Sequence, residues 1–190
     1  REVTIGHLML DTDSKAGPLA KVNPPIRPRE DVEFLWEQLV AGNLDWVCSD
    51  HACCKHEMKV DKRKSGDIWL AKSGFGGTEY LLPALFSEGR KRGLSYNDMA
   101  RLTSYAAARR FGLNSKGDIA EGLDADLAIL DPNDTWVVRA ADSESQQGYT
   151  PFEGMELTGK VTTTFLRGQR IYDNGQVIGK PMGQFLVRPY

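Results

Sequence analysis

The stretch WVCSDHACCKHEMK, residues 46–59, places Asp50, His51, Cys53, Cys54, His56 and Glu57 directly after a short apolar run. These are the side-chain types that hold metals, move protons or attack carbonyls. A self-contained zinc site is one reading. Structural zinc takes four ligands, usually as two separated pairs, and no Cys-x-x-Cys occurs here. Six ligand-type residues on one loop cannot all face one ion. A cysteine nucleophile with a histidine base is a second reading, and it needs a thiolate-stabilising neighbour that a sequence does not display. A third reading takes Asp50 alone as the working group, because it stands just past the end of a strand. Against all three stands the ordinary reading. In it Cys48 is a core thiol, and His56, Glu57, Lys59 and Lys62 to Lys64 are solvated loop charges. Arg90, Lys91 and Arg92 read likewise as last-turn charges that suit a helix dipole.

The elements that must carry this stretch follow from pattern. Val3 to Leu10 reads as a strand, and Asp11 to Pro28 as a loop stiffened by proline. Asp31 to Ala41 reads as a helix, with Val32, Leu35, Trp36, Leu39 and Val40 on one face and Gly42 as its stop. Leu44 to Cys48 is a short buried strand. A long polar loop runs to about Lys72 and is broken by Gly74, Gly76 and Gly77. Thr78 to Gly93 reads as a helix with Leu81, Leu82, Leu85 and Phe86 toward the core. Ser95 caps a further helix carrying Tyr96, Met99, Ala100 and Leu102. Ser104 to Phe111 is an alanine-rich third helix ended by Gly112. Beyond that the chain turns β-branched, and Asp173-Asn174-Gly175 is a hairpin signal. Two domains result. Residues 1–112 alternate strand and helix like the end of a βα barrel, and residues 113–190 are mostly β. In barrels the active site is built just past the C-terminal ends of the strands, where Asp50 stands.

The bulk properties exclude some classes. With 41% hydrophobic and 26% charged residues the 190-residue chain reads as soluble and globular. A net charge of -2 offers no case for nucleic acid or an anionic membrane. No apolar run reaches the length of a membrane span. Three cysteines clustered at 48, 53 and 54 are not a disulfide framework, which points to reduced thiols and a cytoplasmic setting. The abrupt start at Arg1-Glu2-Val3 suggests a beginning inside a larger protein.

Six blocks in fixed order carry a resemblance: VCSDHACC, SGFGGTEYLLPALFSEG, LTSYAAARRFGL, KGDIAEGLDADLAILDP, PFEGMELTGKVTTTFLRGQRIYDNGQV and PMGQFLVR. Together they resemble the C-terminal part of the cyclic amidohydrolases, the allantoinases, dihydroorotases and dihydropyrimidinases (hydantoinases), over essentially the whole chain. The resemblance implies an α/β fold: part of a metal-dependent amidohydrolase TIM barrel from about the seventh strand, followed by a small β-sandwich segment. It implies a binuclear zinc centre, of which only the aspartate after the eighth strand, Asp50, is in this chain. His7 falls after the family's last metal histidine and stays structural.

In that family picture Asp50 is metal ligand, general base and then general acid. It takes a proton from a metal-activated hydroxide and returns it to the leaving ring nitrogen. Asn23, Cys54, Gly74 and Gly76 match positions that contact substrate, and His51 orients the loop behind the ligand. Cys54 stands where dihydroorotases carry a histidine, which argues against that branch. Asp-His-Ala-Cys-Cys approaches the Asp-His-Ser-Pro-Cys of allantoinases, with Cys53 in place of proline. The implied activity is opening of a cyclic amide or ureide ring, allantoinase first, dihydroorotase or dihydropyrimidinase second. A non-catalytic structural relative is the rival from another class. A piece of barrel is also expected to be inactive alone, and to self-associate or pair with the N-terminal half.

Overall fold

The computed structural model describes residues 1–60 and 67–188. The lysines at 62 and 64, read above as solvated charges, lie outside the described residues.

Two short strands run side by side. β1 (Glu2–Thr4) pairs in parallel with β2 (Trp46–Cys48), Val3 opposite Val47 and Thr4 opposite Cys48. Parallel pairing needs a crossover, and the intervening chain supplies one. It contains α1 (Ile5–Met9) and α2 (Arg29–Val40). The strand expected over Val3 to Leu10 is therefore only three residues long. Thr4 ends it by accepting the His7 amide at 3.3 Å, and Ile5 and Leu8 bury one helical face. A short apolar run fits either period, and here the cap decides.

α2 opens after Pro28 with Glu30 and Asp31 in its first turn, which suits the helix dipole. Val32, Trp36 and Leu39 face the core, while Val40, expected among them, is exposed. Trp36 donates its indole N–H to the Leu8 carbonyl at 2.8 Å, so its ring is buried without an unpaired polar atom. Arg92 lies over that ring at 4.9 Å and grips Glu33 with two guanidinium nitrogens.

After β2 come α3 (His56–Lys59) and α4 (Thr78–Lys91). Leu85 and Phe86 of α4 are buried as their spacing requires, and Leu81 is partly buried against the core. α5 (Tyr96–Ala100) starts on a full capping box, Ser95 with Asp98. Tyr96 is exposed rather than core-facing. The expected third helix is a π turn over Arg101–Tyr105 running into α6 (Ala106–Arg110).

The remaining strands form one antiparallel sheet in sequence order. They are β3 (Leu127–Val137), β4 (Glu156–Leu166), β5 (Gln169–Asp173) and β6 (Gln176–Val177). The Asp-Asn-Gly hairpin joins β5 to β6, with Asn174 at φ 45° and Gly175 at φ 89°. Gly159 at φ 103° lets β4 press on α4, where a Cβ would sit 2.4 Å from the Phe86 ring. Val138, Tyr149, Phe152 and Leu157 enter the same core as the helices. No described helix is long and apolar enough to cross a membrane.

Candidate functional site

β1 and β2 end on the same edge, so the segments that leave them share one side of the molecule. Asp50 follows β2 by two residues. Its backbone is left-handed at φ 48°, a conformation that aspartate tolerates better than most residues. Its side chain is exposed, and none of the described hydrogen bonds involves the carboxylate.

His51 turns back onto the start of α4. Its Nδ1 accepts from the Gly77 amide at 3.3 Å and the Thr78 amide at 3.4 Å, which places the ring proton on Nε2. Ser49 reinforces the tie through the Thr78 hydroxyl at 3.3 Å. The loop therefore leaves β2 with Asp50 pointing to solvent and His51 fastened to the helix N-terminus.

The other expected pocket residues come from three segments packed beside it. The Ala52 amide donates to the Phe75 carbonyl at 3.0 Å, and Cys54 lies 3.7 Å from the Ser73 carbonyl. Gly74 is buried at φ 94°, and a Cβ there would sit 2.7 Å from that of Ala52. Its amide donates to the Lys21 carbonyl at 2.9 Å, two residues before Asn23. Asn23 itself is exposed beside Pro24, whose carbonyl is 2.9 Å from His7 Nε2. His7 also touches Thr4 Oγ1 at 2.6 Å, so it joins two loops. The structure thus brings the Asn23, Cys54 and Gly74 segments together at one place, and Asp50, His51 and Gly76 beside it.

Two residues of this neighbourhood depart from the sequence reading, the first unread and the second misread. Gln147, on the connection from β3 to β4, is buried, and its Oε1 accepts from the Gly76 amide at 2.7 Å. Its carbonyl accepts from the His56 amide at 3.0 Å. A Cβ on Gly76 would sit 2.7 Å from that Oε1 and 3.0 Å from the His51 ring. The same strap ties to α4 through Glu79, which accepts from the Glu144 amide at 3.0 Å and from the Ser143 hydroxyl. Nothing local in residues 143–150 marks this, because the contact spans 71 residues of sequence.

The second is Lys59, and here the expectation of a solvated charge is wrong. Lys59 is 2% exposed. Its ammonium donates to the Lys21 carbonyl at 2.8 Å and sits 6.0 Å from the centre of the Phe75 ring. Burial pulls its pKa from the ordinary 10.5 to about 8, although nearby Cys54 opposes the change. The four-residue helix α3 turns this side chain inward while His56 and Glu57 stay exposed.

The thiols differ in reach. Cys48, the last residue of β2, is half-buried, and burial pushes its pKa up, with Glu2 adding to the effect. That keeps it a thiol rather than a nucleophile. Cys53 is exposed, 3.9 Å from the Ser145 hydroxyl. Tyr149 is buried beside His56, and its hydroxyl has no partner among the described residues. Burial, then Cys54 and Cys53, hold that hydroxyl firmly protonated.

Among the described residues, no group of three or more His, Cys, Asp or Glu side chains converges as a metal site. Asp50 fits a metal as one ligand, being an exposed oxygen donor at a strand end. A hydrolytic metal centre takes three or more protein ligands, so Asp50 would be one part of a set.

Comparison with known proteins settles the lineage. Residues 25–171 match the model of the amidohydrolase family. The chain belongs to that family. An allantoinase from Rubrobacter xylanophilus is 44% identical over 98% of this chain and 41% of its own length. An allantoinase from Salmonella newport is 37% identical over 96% of this chain and 40% of its own length. Among solved structures, the L-hydantoinase (dihydropyrimidinase) of Arthrobacter aurescens superposes with a TM-score of 0.89 at 35% identity. It covers 94% of this chain and 40% of that one. A D-hydantoinase from a Thermus species gives 0.86 at 29% identity over the same shares. The chain therefore spans about 40% of the length of the relatives it matches. Its fold is the C-terminal part of the amidohydrolase βα barrel with its β-sandwich segment. The family is generally metal-dependent.

Proposed function

We propose that the natural polypeptide carrying these residues hydrolyses the C–N bond of a cyclic amide or ureide, with allantoin as first candidate substrate. The observation that carries this reading is Asp50. It is an exposed carboxylate in a left-handed turn just past a parallel strand, on a chain 44% identical to an allantoinase. In the barrel fold that position faces the reaction.

Asp50 would hold one metal of a zinc pair, the remaining ligands coming from outside these residues. The metal, when bound, makes water acidic enough to attack at neutral pH. Asp50 takes the proton from the attacking water on a carboxylate oxygen and delivers it to the ring nitrogen as the C–N bond breaks. His51 keeps the loop registered on α4. Asn23, Cys54 and the backbones of Gly74 and Gly76 border the ring, where glycine lets peptide groups approach the substrate closely. Cys54 is compact and weakly polar, unlike the histidine of dihydroorotases, which favours a ureide without a carboxylate at that point. The hydantoinase likeness, at TM-score 0.89, supports a dihydropyrimidinase as the second reading. The retained Asp50 weighs against a non-catalytic relative.

The division into barrel residues 1–112 and sandwich residues 113–190 belongs to the same proposal, supported by the switch from helices to one antiparallel sheet. β1 and β2 pair only with each other among the described residues. This supports pairing with further barrel strands or with a second copy, and inactivity of the 190 residues by themselves. Three free cysteines suit a reducing, cytoplasmic setting.

The test is to purify the natural polypeptide, measure bound metal by mass spectrometry and assay allantoin, hydantoin, dihydrouracil and dihydroorotate. Turnover of allantoin, abolished by chelation and restored by zinc, is the expected result. A metal-loaded protein that opens none of the four rings would overturn the proposal.

A further inference from the structure

The Lys21 carbonyl has two lone pairs, and both are used from other loops. The Gly74 amide donates to it at 2.9 Å and the Lys59 ammonium at 2.8 Å. The same three segments are joined again nearby. The Lys72 amide donates to the Met58 carbonyl at 3.0 Å, and the Lys21 ammonium donates to the Trp69 carbonyl at 3.0 Å. Lys21 lies two residues before Asn23, Gly74 belongs to the glycine segment, and Lys59 closes the loop that starts at Asp50. A lysine is not needed to fill this space. A Met is of similar length and would bury no charge, whereas burial pulls the Lys59 pKa down to about 8. A costly buried ammonium at the junction of three candidate pocket segments calls for a role that packing does not supply.

We propose that Lys59 is a positioning residue. Its ammonium clasps the Lys21 carbonyl and so sets Asn23 and the Gly74 backbone at the spacing that the substrate ring requires. The proposal rests on the reading that these two segments border the substrate. Lys59 is 2% exposed, so it acts through the loops and touches no substrate itself.

The test compares Lys59→Met and Lys59→Arg with the unaltered natural polypeptide, loaded with zinc, on allantoin. Amide hydrogen exchange at residues 71–76 is read in parallel. Lys59→Met is expected to raise KM tenfold or more, to change kcat less than threefold, and to speed exchange at Gly74 tenfold or more. Lys59→Arg, which keeps a charged donor, is expected to recover most of the KM. A general loss of stability would lower the apparent kcat with KM unchanged, which overturns the proposal. An unchanged KM in Lys59→Met overturns the proposal while leaving the functional reading intact. If the unaltered protein opens no ring, the functional reading fails instead. Exchange then decides the clasp: faster exchange at Gly74 supports it, and unchanged exchange overturns it.

Discussion

Replacing Lys59 by Met should change how stability depends on pH. In the folded protein the ammonium is buried, and its pKa falls from 10.5 to about 8. Below pH 8 both folded and unfolded chains hold the proton, and the folded state bears the full penalty of the buried charge. Between pH 8 and 10.5 the unfolded chain binds the proton more than the folded one does, so stability rises with pH through that window. At about 1.36 kcal/mol per pH unit the whole rise amounts to about 3 kcal/mol, of which about 2 kcal/mol falls between pH 8 and 9.5. Met has no proton to lose, so the variant lacks this rise. Groups distant from Lys59 behave alike in both proteins and cancel in the difference. Urea unfolding of the natural polypeptide and of Lys59→Met at intervals from pH 7 to 9.5 measures that difference. The unaltered protein should gain on the variant by about 2 kcal/mol across the interval. Two curves that stay parallel within about 0.5 kcal/mol would refute the burial argument, because distant titrations should cancel to that degree.

Other outcomes follow from single contacts. Asp50→Asn keeps the left-handed turn but removes the proton acceptor, so kcat on allantoin should fall about a thousandfold or more with little change in melting temperature. Gln147→Ala leaves the buried Gly76 amide without its acceptor and should cost about 1–3 kcal/mol in urea unfolding. Gly159→Ala puts a Cβ 2.4 Å from Phe86 at φ 103° and should destabilise by about 2 kcal/mol or more, read as a fall in melting temperature. Glu33, held below the usual carboxylate range mainly by its bond to Arg92, contributes stability that is present above pH 4.5 and is lost as pH falls further. Arg92→Ala should flatten that acid-side loss in a melting profile.

Much of the scaffold could be read from residue order alone. The spacing of Val32, Trp36 and Leu39 made α2, and Leu85 and Phe86 the buried face of α4. Ser95 with Asp98 started α5, and Asp-Asn-Gly turned β5 into β6. These features depend on groups a few residues apart, so the sequence holds all the information they need. The place of Asp50 was legible for the same reason: a short apolar run must end, and its end is where a barrel exposes side chains. Even so, the third to eighth residues fooled the period, since Ile5 and Leu8 suit a strand or a helix until Thr4 caps the turn.

What the tertiary structure alone decided is the set of contacts across loops. Lys59 looks like any surface lysine in HEMK, and only the approach of the Lys21 carbonyl from 38 positions away makes it a buried donor. Gln147 reads as one polar residue in Ser-Glu-Ser-Gln-Gln, and only the strap's return across 71 positions places it on Gly76. Burial and hydrogen bonding depend on what the rest of the chain brings to a residue. A side chain's own identity fixes what it can donate or accept, and the fold fixes whether it meets water or a carbonyl.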